Sequence, residues 1–176
     1  MKALVALTAL FSLTMFAFGK DPLAVGAEAP AISVTIQTGE MLDLAEIYAA
    51  GPVLIYFYPK SFTRGCDIQA CNLRDNVSET SAVGLTVLGV SRDDVEKQAR
   101  FKEAYALPFD VVADVDGALG EAFGVGSTLG VLPLHKRQSF LIVDRKVAWI
   151  DTSVSPGSQA ADAIAAFTAA KAKSAS

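Results

Sequence analysis

Residues 53–66 read VLIYFYPKSFTRGC, and this stretch decides the fold. Its first six residues are all aliphatic or aromatic, which predicts a strand buried on both faces of a sheet. Pro59 ends the strand, and a helical pattern begins at Thr63. Functional groups in open α/β sheets usually lie just beyond the carboxyl ends of such strands. The segment from Pro59 to Cys66 is therefore the candidate site.

Cys66 falls in the first turn of the predicted helix, with Thr63 at the N-cap position. Unpaired backbone amides and the helix dipole favour a negative sulfur there, and Lys60 and Arg64 add positive charge nearby. The thiolate is the reactive form of cysteine. The position thus predicts a reactive thiol, although a small, buried and inert cysteine is an alternative that this position alone leaves open.

Cys71 is the second of only two cysteines in the chain. On a regular helix, Cα atoms five residues apart are separated by roughly 8 to 9 Å. A disulfide needs them within about 7 Å, so a bond between Cys66 and Cys71 requires the first turns of the helix to unwind. So short a loop also stabilises a fold little. The spacing therefore favours a redox pair over a structural disulfide. In such a pair, peroxide converts one thiolate to a sulfenic acid, which condenses with the second thiol.

Strands and helices alternate outward from this stretch until a final hairpin, which predicts one α/β domain with a mixed central sheet and helices on both faces. The helix that begins at Thr63 is predicted to run to Gly84 with an apolar stripe of Ile68, Cys71, Leu73 and Val77. The predicted strands are 32–36, 53–58, 85–90, 109–113, 139–143 and 148–151, and the last helix is 158–171. Asp93 and Asp94 are predicted to cap a helix.

The first 19 residues have the form of a secretory signal peptide, with Lys2, an uncharged run over 3–18, and small residues before Lys20. This predicts a mature domain of residues 20–176 in the periplasm or another extracytoplasmic space. The apolar run is short for a membrane span, so we expect no stable membrane insertion after cleavage. A retained anchor is the alternative.

Charge and composition exclude several classes of function. The chain has 15 basic and 19 acidic residues, a net charge of −4 and no basic stripe, which argues against nucleic acid as a partner. Its one histidine, His135, and two cysteines provide too few ligands for a zinc site, and we expect no metal and no cofactor. We interpret His135 as a loop residue rather than a catalyst.

The chain resembles the peroxiredoxins, and most closely the branch called peroxiredoxin Q or bacterioferritin comigratory protein. The motif of Pro, three residues, Thr, two residues and Cys is matched at Pro59, Thr63 and Cys66. A cysteine five positions further on, here Cys71, is typical of one group in that branch. Other matching positions are Tyr56 to Tyr58, Gln69, Ala70, Leu73 to Asn76, Ser91, Asp93, Ala113, Asp114, Asp116, Gly117, Phe123 to Val125, and Arg137.

The resemblance implies a thioredoxin-like fold and a monomeric thiol peroxidase acting on hydrogen peroxide and organic hydroperoxides. Cys66 would be the peroxidatic cysteine and Cys71 the resolving one, with the disulfide reduced again by a thioredoxin-like donor. Thr63 and Arg137 would hydrogen-bond the thiolate and the peroxide oxygens. Arg64 departs from the family, because this position commonly carries proline.

Two other functions stay open from the residues. An exported thiol-disulfide oxidoreductase acting on protein disulfides is one, although that chemistry usually employs two cysteines separated by two residues. An exported binding domain with a passive disulfide is the other, and the helical spacing of the cysteines argues against it.

Overall fold

The computed structural model describes residues 23–127 and 132–174. The elements, in chain order, are β1 Ser33–Thr35, β2 Met41–Asp43, α1 Leu44–Ala50, β3 Val53–Phe57, α2 Arg64–Asp75, α3 Val77–Ala82, β4 Thr86–Ser91, α4 Val95–Ala104, β5 Asp110–Ala113, α5 Ala118–Ala122, β6 Gln138–Val143, β7 Lys146–Asp151 and α6 Gln159–Ser174. The predicted alternation of strands and helices is confirmed.

Five strands form one mixed sheet in the order β5-β4-β3-β6-β7, and β1 and β2 form a separate antiparallel pair. The strands β3, β4 and β5 run parallel, while β6 is antiparallel to both β3 and β7. All five residues of β3 are buried, as the uninterrupted apolar run predicted for a central strand. Since β3 is the central strand, its carboxyl end lies in the middle of one end of the sheet.

Helices cover both faces of the sheet, which confirms the predicted layers. Alternate residues of β3 point to opposite faces. Ile55 and Phe57 pack in a core with residues of α1 and α5. Leu54, Tyr56 and the following Tyr58 pack in a second core with residues of α2, α4 and α6. The helix that carries both cysteines lies on this second face.

The helix after β3 differs from the prediction in two respects. It is divided, because Asn76 leaves helical geometry between α2 and α3. The predicted apolar stripe is confirmed only at Leu73, which is buried, whereas Ile68 is 44% exposed and Cys66 faces the core in its place. The physical reason is Gln69, a fully buried polar residue on the inner face, which hides the true face from any hydrophobic pattern.

The predicted signal peptide, residues 1–19, lies outside the described residues. Among residues 23–127 and 132–174, no helix combines the length and the apolar character needed to cross a membrane.

Candidate active site

Cys66 lies in the first turn of α2 and is 1% exposed. Thr63 occupies the N-cap position, as predicted, and its carbonyl oxygen accepts the Cys66 amide at 2.8 Å. Its side chain does not behave as expected. The hydroxyl donates to the Lys60 carbonyl at 2.9 Å, and not to the Cys66 sulfur, nor does it accept an amide of the helix. Thr63 thus shapes the turn before the helix through its backbone and a local hydrogen bond.

Arg137 contacts the sulfur directly. Its Nη2 donates to Cys66 Sγ at 3.3 Å, and its Nη1 donates to Gln69 Oε1. A Cβ atom on Gly65 would lie 3.1 Å from Arg137 Nη2, so the glycine leaves room for the guanidinium. Arg137 therefore lies beside Cys66, where the family resemblance implies an active-site arginine.

Strand register brings Arg137 to this place. Gln138 is paired with Phe57, and Ser139 with Tyr56, so Arg137 precedes β6 at the carboxyl end of β3. Because side chains alternate along a strand, Arg137 and Ser139 point to the same face of the sheet as Tyr56. That face carries α2 and α6.

Side-chain hydrogen bonds connect α2 to β6 and α6, and we call their residues the helix network: Gln69, Asn72, Ser139 and Gln159. Gln69 Nε2 donates to Gln159 Oε1 at 2.5 Å, and Gln159 Nε2 donates to Ser139 Oγ at 2.9 Å. These three side chains are at most 1% exposed. Asn72 Nδ2 donates to the Gly157 carbonyl at 2.9 Å, and Asn72 Oδ1 accepts the Ala160 amide at 2.9 Å.

A second set of contacts, the loop network, holds the segment before Cys66: Tyr58, Ser61, Ser91, Asp93, Lys97 and Gln98. The Tyr58 hydroxyl donates to Gln98 Oε1 at 2.6 Å, and the Ser61 amide donates to Asp93 Oδ2 at 2.7 Å. Lys97 pairs with Asp93 Oδ1 at 2.6 Å. Asp94 caps α4, as predicted, but Asp93 does not, because its carboxylate is engaged by the loop.

Electrostatics in the loop network follow from these contacts. Burial alone would raise the pKa of Asp93, but hydrogen bonds from Lys97, the Ser61 amide and Ser91 lower it below its ordinary value. Burial raises the pKa of Tyr58 well above the ordinary tyrosine value, so this hydroxyl stays protonated and donates. The turn that this network holds is strained, because Phe62 has a φ of 63°, which is unfavourable for a residue other than glycine.

Pro59 follows the last hydrogen bond of the β3 end, from the Tyr58 amide to the Val90 carbonyl at 2.9 Å. Proline has no amide to donate, so the chain leaves the sheet there. Phe62 is 45% exposed beside the fully buried Phe101, with ring centroids 5.4 Å apart. Of these two aromatic side chains, Phe62 is the one available to a substrate.

Cys71 is half-buried on α2, and both cysteines are free thiols. In the intact helix their Cα atoms are roughly 8 to 9 Å apart, which is too far for a disulfide. The site can therefore hold a reduced pair, and an oxidised pair requires α2 to change shape.

His135 lies in the connection between α5 and β6, as predicted for a loop residue, but it is buried and hydrogen-bonded to Asp114. Its Nε2 lies 2.8 Å from Asp114 Oδ2, and the Asp114 carboxylate also accepts the Leu119 and Gly120 amides at 2.9 Å each. Burial opposes ionisation of Asp114, yet the hydrogen bonds from His135 and the two amides lower its pKa. A Cβ on Gly120 would lie 2.1 Å from His135 Cε1, so only glycine fits against this ring.

The sequence and the fold are similar to those of known proteins. The AhpC/TSA family matches residues 25–150. The peroxiredoxin Bcp of Escherichia coli is 45% identical over 105 residues, 60% of this chain and 67% of that protein. The crystal structure of peroxidoxin BcpB from Mycobacterium tuberculosis is similar with a TM-score of 0.77 and 34% identity, covering 82% of this chain and 96% of that one.

A structure of the bacterioferritin comigratory protein of Xanthomonas campestris, solved to explain its alkyl peroxide reduction activity, has a TM-score of 0.74 and 28% identity, covering 83% of this chain and 98% of that one. The chain belongs to the AhpC/TSA family. Within it, the chain falls in the branch of Bcp and peroxiredoxin Q, and it is a peroxiredoxin, with the thioredoxin-like fold and the thiol peroxidase activity of that branch.

Sequence reasoning missed the two polar networks. Gln69 was identified only as a position that matches the family, and no functional role was predicted for Gln98, Ser139 or Gln159. The signal that could have found Ser139 is its place inside an apolar strand, where a polar side chain needs a buried partner. Gln159 has no such signal, because glutamine at a helix start is ordinary.

Proposed function

We propose that Cys66 is the nucleophile of the peroxidase reaction. The observation that carries this proposal is the 3.3 Å contact from Arg137 Nη2 to Cys66 Sγ at the start of α2. The thiolate attacks one peroxide oxygen, the O–O bond breaks, and the other oxygen leaves as alkoxide or hydroxide and takes up a proton. Arg137 cannot lose its charge, so its donors stabilise the negative charge that builds on the leaving oxygen.

Cys71 resolves the oxidised product. The Cys66 sulfenic acid condenses with the Cys71 thiol, which forms the disulfide and releases one water. Because the intact helix holds the two Cα atoms too far apart, this step unwinds α2 between the cysteines. Half-burial of Cys71 supports this role, since a short local opening brings it to solvent.

A thioredoxin-like dithiol then reduces the disulfide and restores both thiols. We propose hydrogen peroxide and organic hydroperoxides as substrates. The alkyl peroxide activity of the Xanthomonas relative and the half-exposed ring of Phe62 support the organic ones. The signal-like residues 1–19 support export, and an exported enzyme needs an extracytoplasmic donor. The family resemblance supports a monomeric mature enzyme.

One experiment tests the assignment of the cysteines. The reduced protein and its Cys66→Ser and Cys71→Ser variants are mixed with hydrogen peroxide, and thiol loss is followed by mass. We expect Cys66→Ser to be inert and Cys71→Ser to react once and stop as a sulfenic or over-oxidised species. Equal loss in both variants would contradict the proposal. The same assay with a protein disulfide in place of peroxide tests the oxidoreductase alternative.

A further inference from the structure

The helix network ends on the residue that contacts the reactive sulfur. Arg137 donates a hydrogen bond from Nη2 to the Cys66 sulfur and another from Nη1 to Gln69 Oε1. The Gln69 carbonyl therefore fixes the rotation of the guanidinium. Gln69 in turn bonds Gln159, which lies 90 residues further along the chain, in the first turn of α6. The contact is fully buried, so water does not compete for it.

The orientation of the Gln69 amide depends on Gln159. The oxygen and nitrogen of a glutamine amide have nearly the same shape, and only their partners decide which one points where. Gln159 offers its oxygen to Gln69, which draws the Gln69 nitrogen toward α6 and leaves the Gln69 oxygen facing Arg137. The Ser139 hydroxyl holds Gln159 from the other side: it accepts a hydrogen bond from Gln159 Nε2 at 2.9 Å and can donate to Gln159 Oε1 at 3.2 Å.

We infer that Gln159, supported by Ser139, is a positioning residue for peroxide reduction: it holds the Gln69 amide in the one orientation that lets Arg137 aim at Cys66. This inference rests on the proposed roles of Cys66 and Arg137. Without an acceptor at position 159, the Gln69 amide can turn over. Two sets of N–H donors then face each other, and the guanidinium loses its acceptor.

The test measures the second-order rate constant for oxidation of Cys66 by hydrogen peroxide in single turnover. We expect Gln159→Met, which keeps the length of the side chain but offers no comparable acceptor, to react about tenfold more slowly. Gln159→Glu retains an oxygen for Gln69 in either protonation state, and should stay within about threefold of wild type. Ser158→Ala removes a bond from the residue directly before α6 to Asp162 and serves as the matched control with an unchanged rate.

A double variant separates positioning from mere packing. If Gln159 acts through Arg137, then Gln159→Met adds no further loss to an Arg137→Met protein. An additional tenfold loss in that background would overturn the inference, as would a wild-type rate in Gln159→Met or an equal loss in Gln159→Glu. Should Gln159→Met fail to fold, Ser139→Ala carries the test, with about threefold expected and a wild-type rate overturning it.

The outcomes keep the two proposals apart. A wild-type rate in Arg137→Met would contradict the proposed function itself. A slow Arg137→Met protein beside a normal Gln159→Met protein would remove only the role of Gln159.

Discussion

The loop before Cys66 and the helix after it are held by different kinds of contact. The loop network centres on a carboxylate, Asp93, with a lysine and a backbone amide as donors. The helix network consists of neutral amides and a hydroxyl that join α2 to α6. Hydrogen bonds to a charged group are worth roughly twice those between neutral groups.

The difference matches what each part has to do. On the segment before Cys66, the loop contacts are made by Tyr58 and Ser61, outside the interval that a Cys66–Cys71 disulfide would contract. Two helix contacts, those of Gln69 and Asn72, lie within or directly after that interval. The loop before Cys66, which can stay in place during oxidation, is thus held by the stronger contacts. Helix α2 after Cys66, which has to open, is held by the weaker ones.

Removing Arg137 should give the largest effect. Arg137→Met deletes the side-chain donor that contacts the Cys66 sulfur, and we expect the rate of Cys66 oxidation to fall by about a hundredfold. Stopped-flow measurement of thiol loss checks this. Arg64→Met is the control, since it removes an exposed charge near the helix start without touching Cys66, and should change the rate less than about threefold.

The charge of the loop network should appear in stability. Asp93→Asn leaves Lys97 without its carboxylate, and we expect the free energy of unfolding at pH 7 to fall by about 2 kcal/mol. Denaturation by urea measures it. Asp94→Asn is the control at the neighbouring residue. Asparagine keeps a side-chain oxygen that can cap α4, so the free energy of unfolding should change by less than about 0.5 kcal/mol.

The same variant gives a pH test with a definite sign. The folded-state pKa of Asp93 lies below the unfolded value of about 3.9, so its contribution is fully present above that value and is lost as the pH falls through the folded pKa. Asparagine does not titrate. The stability difference between wild type and Asp93→Asn should therefore shrink below about pH 4, and a difference that stays constant down to pH 2 would contradict this reasoning.

A smaller effect is expected at Asn72. Asn72→Ala removes two hydrogen bonds from α2 to the start of α6, which are present only while the helix is intact. The reduced protein should lose about 1 kcal/mol of stability, and disulfide formation after peroxide attack should become up to about fivefold faster. Single-turnover kinetics measure it. Slower resolution in the variant would show that these bonds assist the step instead of opposing it.

Much of the fold and the centre of the site could be predicted from the sequence. The buried run of β3 and the cysteine after it identified the sheet edge, and the family resemblance identified Arg137, which no local pattern marks. The inner face of α2 was predicted correctly at Leu73 but not at Gln69, which is polar and yet fully buried. Its partner Gln159 is 90 residues away, and only the packing of α6 on α2 brings the two together.

Hydrogen exchange on the reduced and disulfide forms tests the central claim most directly, that α2 opens while the loop before Cys66 stays fixed. The Ala160 amide, bonded to Asn72, and the Ser61 amide, bonded to Asp93, report on the two sides. We predict that oxidation speeds exchange at Ala160 by at least about tenfold and leaves Ser61 unchanged. Equal protection of Ala160 in both forms, or loss of protection at Ser61, would contradict the account.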